Sequence, residues 1–147
     1  MQNLWAIDVA LTYDVTMKFF VEHMGLAARD PATLKEWYVR LLGATVVFET
    51  GQVPPAFFLK LPGGLVIEIY KGDSTMTQTS NNKLAGWRHL ALRVESLEQT
   101  RDELAGRGVI FEKETKPAGG GGRILFFQDI EENLLHLVER PADSVLK

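Results

Sequence analysis

The stretch WRHLALRV, residues 87–94, places a histidine in an alternating run of apolar and polar side chains that is typical of a β-strand. Side chains alternate between the two faces of a strand, so His89 and Arg93 share one face, and Leu90 and Leu92 share the other. We expect a helix to pack on the leucine face. His89 is therefore predicted to lie on the opposite, concave side of a sheet.

Three other short stretches also combine an apolar run with one side chain that can bind a metal: VEHMGL (21–26), VIEIY (66–70) and LLHLV (134–138). Their polar residues are His23, Glu68 and His136. The chain has 3 histidines in all, so every histidine falls in one of these four stretches. A histidine in an apolar strand is often only a hydrogen-bonded core residue. A buried carboxylate such as Glu68 is costly unless it is paired or bound to a cation, and its strand contains no Lys or Arg.

The four stretches are related by an internal repeat. His23 corresponds to His89 and Asp30 to Ser96 at one common offset, while Glu68 corresponds to His136 after a two-residue insertion. Each half therefore reads β-α-β-β-β, with a candidate ligand on its first and last strands. The sequence predicts that both halves present these ligands to a shared interior.

Helix signals stand at equivalent places in both halves. Asp30 followed by Pro31 predicts a helix start, and Gly43 predicts its end. Ser96 with Gln99 forms a capping-box pattern that opens the second helix, which is predicted to end near Gly106. The predicted strands are 19–28, 44–50, 56–61, 65–70, 87–94, 109–112, 123–128 and 134–139.

The fold class predicted from this order is α+β: two βαβββ modules that form a cup-shaped mixed sheet with the helices on its outer face. Module one covers about 19–72 and module two about 86–141, within a single domain over 19–147. Residues 1–18 are predicted to form an N-terminal arm or extra strand. The polar segment 71–85 is a linker or loop, and the glycines at 119–122 form a flexible loop that no helix follows, unlike a phosphate-binding loop.

Composition narrows the possible function classes. The chain has 147 residues and a net charge of -3. It therefore has no excess of positive charge that would favour binding to nucleic acid or to an anionic membrane. It contains 0 cysteines, so disulfides and thiolate ligands are excluded, and a metal would have to be held by His, Asp or Glu. No apolar run is long enough to span a bilayer, and the N-terminus lacks a signal-peptide pattern, so a cytoplasmic location is expected.

The sequence over roughly 19–141 resembles the vicinal oxygen chelate superfamily, which includes glyoxalase I, extradiol dioxygenases, methylmalonyl-CoA epimerase and fosfomycin or bleomycin resistance proteins. The motifs that carry the resemblance are HMGL (23–26) running into Asp30, WY (37–38) with LLG (41–43), RHLALRV (88–94), and FFQD (126–129) before NLL (133–135). Three features depart from the pattern, and one of them is the turn at 129–133, which lacks its usual Pro and Gly. His136 stands where glyoxalase-like members usually have Glu, and Ala27 stands where glyoxalase I has an Arg that grips glutathione.

The resemblance implies a divalent metal (Zn, Ni, Fe(II) or Mn) held on the inner strands. The implied ligands are His23, Glu68, His89 and His136. Glu68 and His136 are also the expected catalytic residues, and His136 is either a ligand or a general base beside the substrate. Three residues are expected to line the substrate pocket, with packing as the alternative for each: Arg93, Tyr70 and Trp87.

The function expected from this resemblance is that of a metal-dependent, glyoxalase-like lyase or isomerase. Its substrate would be a small oxygenated molecule chelated through neighbouring oxygens. One alternative is an extradiol-type dioxygenase, which needs two His and one Glu on Fe(II). The other is a metal-free resistance protein that sequesters a small molecule. Relatives commonly pair, so a homodimer is expected, with no nucleic acid or membrane as a partner.

Overall fold

The computed structural model describes residues 21–74, 79–144 and 146. The first half of the described chain contains β1 (Met24–Ala28), α1 (Pro31–Leu42), β2 (Thr45–Glu49), β3 (Phe57–Lys60) and β4 (Val66–Lys71). The second half contains β5 (His89–Val94), α2 (Leu97–Gly106), β6 (Lys116–Pro117), β7 (Arg123–Gln128) and β8 (Leu134–Glu139). The predicted α+β class with two βαβββ modules is confirmed. The predicted N-terminal arm, 1–18, lies outside the described residues.

Each module folds into a four-stranded mixed sheet in which the first strand pairs with the last. The strand orders are β1-β4-β3-β2 and β5-β8-β7-β6. The β1–β4 and β5–β8 pairs are parallel, and the remaining pairs are antiparallel. The parallel pairs set Gly25 opposite Glu68, and Ala91 opposite His136. The register is therefore equivalent in the two modules, as the repeat predicts.

The two helices begin at the predicted residues. The Asp30 carboxylate accepts the Thr33 backbone N–H at 3.1 Å, and hydrogen bonds from Thr33 are the largest cause that lowers the pKa of Asp30. Gly43 ends α1 in the left-handed region at φ 67°, where a residue without a Cβ is favoured. Ser96 caps α2 in the same way, through the Gln99 N–H at 3.2 Å.

The modules are joined on the helix side of both sheets. A single core cluster combines side chains of α1, such as Leu34 and Leu41, with Leu104 of α2 and Leu137 of β8. The face of Leu90, Leu92 and Val94 packs against this cluster, as predicted. The opposite face of each sheet, which includes His89 and His23, is turned away from the core.

A buried carboxylate holds the junction between the modules. Asp129, in the turn between β7 and β8, is 5% exposed and accepts the Tyr38 hydroxyl of α1 at 3.1 Å. It also accepts the backbone N–H groups of Glu131 and Asn133 and the Asn133 side-chain amide. Burial, the largest cause, raises the pKa of Asp129, and burial also raises the pKa of Tyr38.

A second carboxylate crosses the same junction. Glu131 accepts the backbone N–H groups of Arg29 and Asp30 at 2.7 and 2.8 Å, immediately before α1 begins. These N–H groups have no partner within the helix, so the turn of one module completes the helix start of the other.

Two predicted strands differ from the structure. The first was predicted over 19–28, whereas β1 starts at Met24, so His23 lies just before the strand. The strand predicted over 109–112 is not formed. Phe111 makes only an isolated bridge to Phe127, and the strand that pairs with β7 is Lys116–Pro117. Two extra residues between these points interrupt the ladder, and an edge strand tolerates this because only one side is paired.

In the part of the chain that the structure describes, no helix is long and apolar enough to cross a membrane.

We predict that Asp129→Ala lowers the free energy of unfolding by about 3 kcal/mol, because it leaves buried donors from both modules without an acceptor. Tyr38→Phe removes one of these bonds and leaves the turn intact, so a loss of about 1 kcal/mol is expected. Urea denaturation at neutral pH measures both values. Small and equal losses would show that the junction does not depend on this carboxylate.

Candidate metal centre

The first module brings His23 and Glu68 together on the open face of its sheet. His23 Nε2 lies 3.5 Å from Glu68 Oε2, and the two side chains are 32% and 28% exposed. Two ligands on one ion at roughly 2.1 Å and tetrahedral angles are about 3.4 Å apart, so this pair suits a shared cation. The pair confirms that the residue before β1 and the centre of β4 share a face.

The second module brings His89 and His136 together at the equivalent place. Their ring centroids are 4.8 Å apart, with an angle of 50° between the planes. His136 is 5% exposed in the middle of β8, whereas His89 is exposed at the start of β5. Strand pairing explains the contact, since Ala91 is the register partner of His136 and His89 precedes it by two residues on the same face.

All three imidazoles place Nδ1 beside an oxygen atom. The partner of His23 Nδ1 is Glu22 Oε2 at 3.0 Å, that of His89 is Asn82 Oδ1 at 2.8 Å, and that of His136 is the Leu137 carbonyl at 3.2 Å. A carbonyl or carboxylate oxygen only accepts, so Nδ1 carries the proton in each ring. This leaves the Nε2 lone pair available in His89 and His136, whereas Nε2 of His23 already lies beside Glu68 Oε2. Such an arrangement of outer hydrogen bonds is typical of histidines that bind metals through Nε2.

Burial also keeps His136 in the form that binds a metal. Its pKa is lowered, first by burial and then by the neighbouring His89 and Arg140, while the hydrogen bond to Leu137 acts in the opposite direction. A neutral imidazole near pH 7 can coordinate a cation or accept a proton.

Two phenylalanines line the sites, and our sequence reasoning did not select them as site residues. The Phe58 ring meets His23 edge-on at 5.3 Å between centroids. The Phe126 ring contacts His136 at 5.1 Å and His89 at 6.2 Å. The two phenylalanines are related by the same offset as Glu68 and His136, so the repeat contained the information needed to find them.

The three residues predicted to line the pocket lie in different settings. Tyr70 shares the open face with Glu68, and its ring packs over Gly25, where an added Cβ would lie 3.3 Å from it. The Arg93 guanidinium lies on the His89 face but donates to the Leu146 carbonyl at 2.7 Å. Trp87 lies two residues before β5 and is 89% exposed, so the described residues do not pack it against either pair.

The four predicted ligands form two pairs and not one cluster. Within residues 21–74, 79–144 and 146, no group of three or more His, Asp or Glu side chains is placed to hold a metal ion. The pairs lie on the open faces of two different sheets, and the modules are joined on the opposite side. Each pair offers two donors, an imidazole with a carboxylate in the first module and two imidazoles in the second, which is fewer than the three or four protein ligands of a zinc site.

Three comparisons with known proteins place this geometry in context. The Glyoxalase/Bleomycin resistance protein/Dioxygenase superfamily matches residues 20–137. The uncharacterized protein YwkD of Bacillus subtilis (strain 168) is 30% identical over 123 residues, covering 82% of this chain and 96% of that protein. A glyoxalase family protein from Enterococcus faecalis is 29% identical, with a TM-score of 0.69 over 83% of this chain and 100% of the other.

A more distant structure shares the fold. The fosfomycin resistance protein FosX from Listeria monocytogenes, solved with Mn(II) and sulfate, is 20% identical, with a TM-score of 0.63 over 86% of this chain and 94% of that chain. The chain belongs to the Glyoxalase/Bleomycin resistance protein/Dioxygenase superfamily. The superfamily resemblance predicted from the sequence is confirmed.

We predict that acidification destabilises the metal-free protein partly through His136. Its pKa is lower in the folded state than the ordinary 6.5, so its contribution to stability is complete above that value and is lost as the pH falls through the folded pKa. Urea denaturation at pH 8 and pH 5, with a chelator present, should show a smaller loss for His136→Gln than for the unchanged protein. An identical loss in His136→Gln and in the unchanged protein would show that His136 does not contribute to the acid sensitivity.

Proposed function

We propose that the protein is a metal-dependent, glyoxalase-like lyase or isomerase that acts on a small substrate bound through neighbouring oxygen atoms. The observation that carries the proposal is the pair of matched half-sites, His23 with Glu68 and His89 with His136. The second half-site has two Nε2 lone pairs available, and the first sets His23 Nε2 beside the Glu68 carboxylate; a phenylalanine ring lines each. Superfamily membership and the Mn(II) complex of FosX support a divalent metal, with Zn, Ni, Fe(II) and Mn as candidates.

The donors present suit such an ion. His23, Glu68, His89 and His136 would hold it, and the bound ion would act as a Lewis acid that polarises substrate oxygens. Three imidazoles and one carboxylate leave the ion with net positive charge, which favours an anionic or oxygen-rich substrate.

The chain's own residues supply the other functions. Glu68 and His136 are the two groups that can accept a proton beside the substrate, since one is a carboxylate and burial keeps the other neutral. Phe58 and Phe126 shield the imidazoles from water on one side. Tyr70 lies on the same face as Glu68 and orients the substrate from there.

A second copy of the chain would complete the site. The open face of the first sheet carries the exposed Phe48, which is 59% exposed beside Phe58, and a monomer gains nothing from leaving these rings in water. In a two-fold dimer, His23 and Glu68 of one copy face His89 and His136 of the other, and the symmetry makes this contact twice. This is the homodimer expected from the family resemblance.

No observation in the structure favours the dioxygenase or the metal-free binding alternative over this proposal. Two assays distinguish these alternatives from each other. Oxygen uptake with a catechol and ferrous iron would support the first, and tight binding of a drug without any metal would support the second.

Metal analysis of untagged protein tests the proposal directly. We expect about one divalent ion per chain, and a loss of more than about tenfold in metal affinity for His89→Ala, because one ligand of the set is removed. Val53→Ala, at a position that is 97% exposed in the loop between β2 and β3, is the control. Metal content that His89→Ala leaves unchanged would rule out this ligand set.

Complementation between variants tests the assembly across two copies. His23→Ala and His89→Ala homodimers should each lose metal, because both of their sites are damaged. A heterodimer isolated through two different tags has one doubly damaged site and one intact site, so it should bind one ion per dimer. A heterodimer that binds no metal would show that the four ligands do not meet across two copies.

A further inference from the structure

We propose that Asn82 is a positioning residue for the metal centre. It holds the His89 ring with the proton on Nδ1, so that Nε2 faces the open side of the sheet beside His136. This inference rests on the proposed function. Asn82 comes from the segment between the modules, which the sequence presents only as a polar loop, and no resemblance assigns it a role.

Of the three imidazoles, that of His89 depends most on such support. His136 is buried between strands, and its Nδ1 partner is the carbonyl of the next residue. His89 is exposed, and it begins a strand that pairs on one side only, with β8. Its ring meets Phe126 at 6.2 Å and His136 at 4.8 Å, and neither contact defines which nitrogen carries the proton.

The hydrogen bond that Asn82 accepts from His89 defines the position of that proton. Asn82 Oδ1 lies 2.8 Å from His89 Nδ1, a normal length for a strong N–H···O bond. A side-chain amide oxygen accepts, so the neutral imidazole is held as the Nδ1–H tautomer and the lone pair remains on Nε2. Without this acceptor, the ring would populate both tautomers and rotate about its side-chain bonds, and part of the population could not coordinate.

Two contacts of the loop itself place Asn82 at this position. Lys83 N–H donates to Asn81 Oδ1 at 3.1 Å, which forms an Asx turn that projects the next side chain. The Thr79 hydroxyl donates to the Glu132 carbonyl at 3.1 Å, which ties the loop to the turn before β8. The loop is therefore anchored near β8, the strand that carries His136. From this position Asn82 contacts His89.

The two modules differ at this point. In the first module, the equivalent Nδ1 contact comes from Glu22, the chain neighbour of His23. In the second module, the residue before His89 is Arg88, which offers no acceptor, so a more distant residue takes the role. The candidate ligands therefore follow the internal repeat, whereas the residues that accept a hydrogen bond from their Nδ1 atoms do not.

Nitrogen-15 NMR of the imidazoles in metal-free protein at pH 8 tests the proposal without depending on any metal. The unchanged protein should show His89 protonated on Nδ1. Asn82→Ala should give a mixture of tautomers for His89 alone, and Asn82→Asp, which keeps the acceptor, should restore the Nδ1–H form. A His89 spectrum that is the same in the unchanged protein and in Asn82→Ala would overturn the proposal.

Zn(II) and Mn(II) titrations of the same variants supply the second measurement. Asn82→Ala should weaken metal binding about 10- to 100-fold, the usual cost of removing an outer hydrogen bond from a metal-binding histidine, and Asn82→Asp should recover it. Lys83→Ala changes an exposed side chain next to Asn82 and keeps the backbone N–H that closes the turn, so it should change affinity less than about threefold. Equal losses in Asn82→Ala and Lys83→Ala would reduce Asn82 to a structural role and overturn the proposal.

The two proposals fail in different ways. If neither ion binds the unchanged protein but Asn82→Ala alters the His89 tautomer, the metal-dependent function is wrong and the positioning contact stands. If the ions bind and the tautomer does not respond to Asn82→Ala, the function stands and the positioning role is wrong.

Discussion

The parallel pairing of the first and last strand in each module is the constraint on which the candidate site depends. Antiparallel neighbours along the chain could not bring His23 to Glu68 or His89 to His136, because these residues are separated by the helix and two further strands. Pairing β1 with β4, and β5 with β8, sets the ligand positions side by side on one face. The long connection that parallel pairing requires begins with a helix in each module, and that helix covers the opposite face.

The junction between the modules determines which sheet faces are buried within one chain and which remain exposed. Asp129 and Glu131 fasten the turn of the second module to α1 of the first, and a shared apolar core lies beside them. Because this junction uses the helix side of both sheets, the ligand faces remain turned outward. The same contacts that stabilise the chain therefore leave both candidate pairs, His23 with Glu68 and His89 with His136, on outward faces. The metal centre and the homodimer are in this sense one proposal.

Much of the fold follows from local patterns. The caps at Asp30 and Ser96, the glycine after α1 and the repeat between the halves predicted helices that the structure places at the same residues. The edge strand was predicted at 109–112 but forms at Lys116–Pro117, because the apolar content at 109–112 does not reveal a two-residue interruption that only the pairing with β7 shows. Pairing of the ligands within each module was predictable, since side chains two residues apart on paired strands share a face.

By itself, the sequence determined the modules, the helix ends, the residues on each strand face and the kind of donor available, because these depend on periodicity, capping and chemistry within a few residues. The tertiary structure decided that the ligands form two pairs and not one cluster, that Arg93 is bound to the Leu146 carbonyl, and that Asn82 meets His89. Those outcomes depend on how the modules pack and where a loop is anchored. Long-range packing is set by the whole core, and no local pattern encodes it.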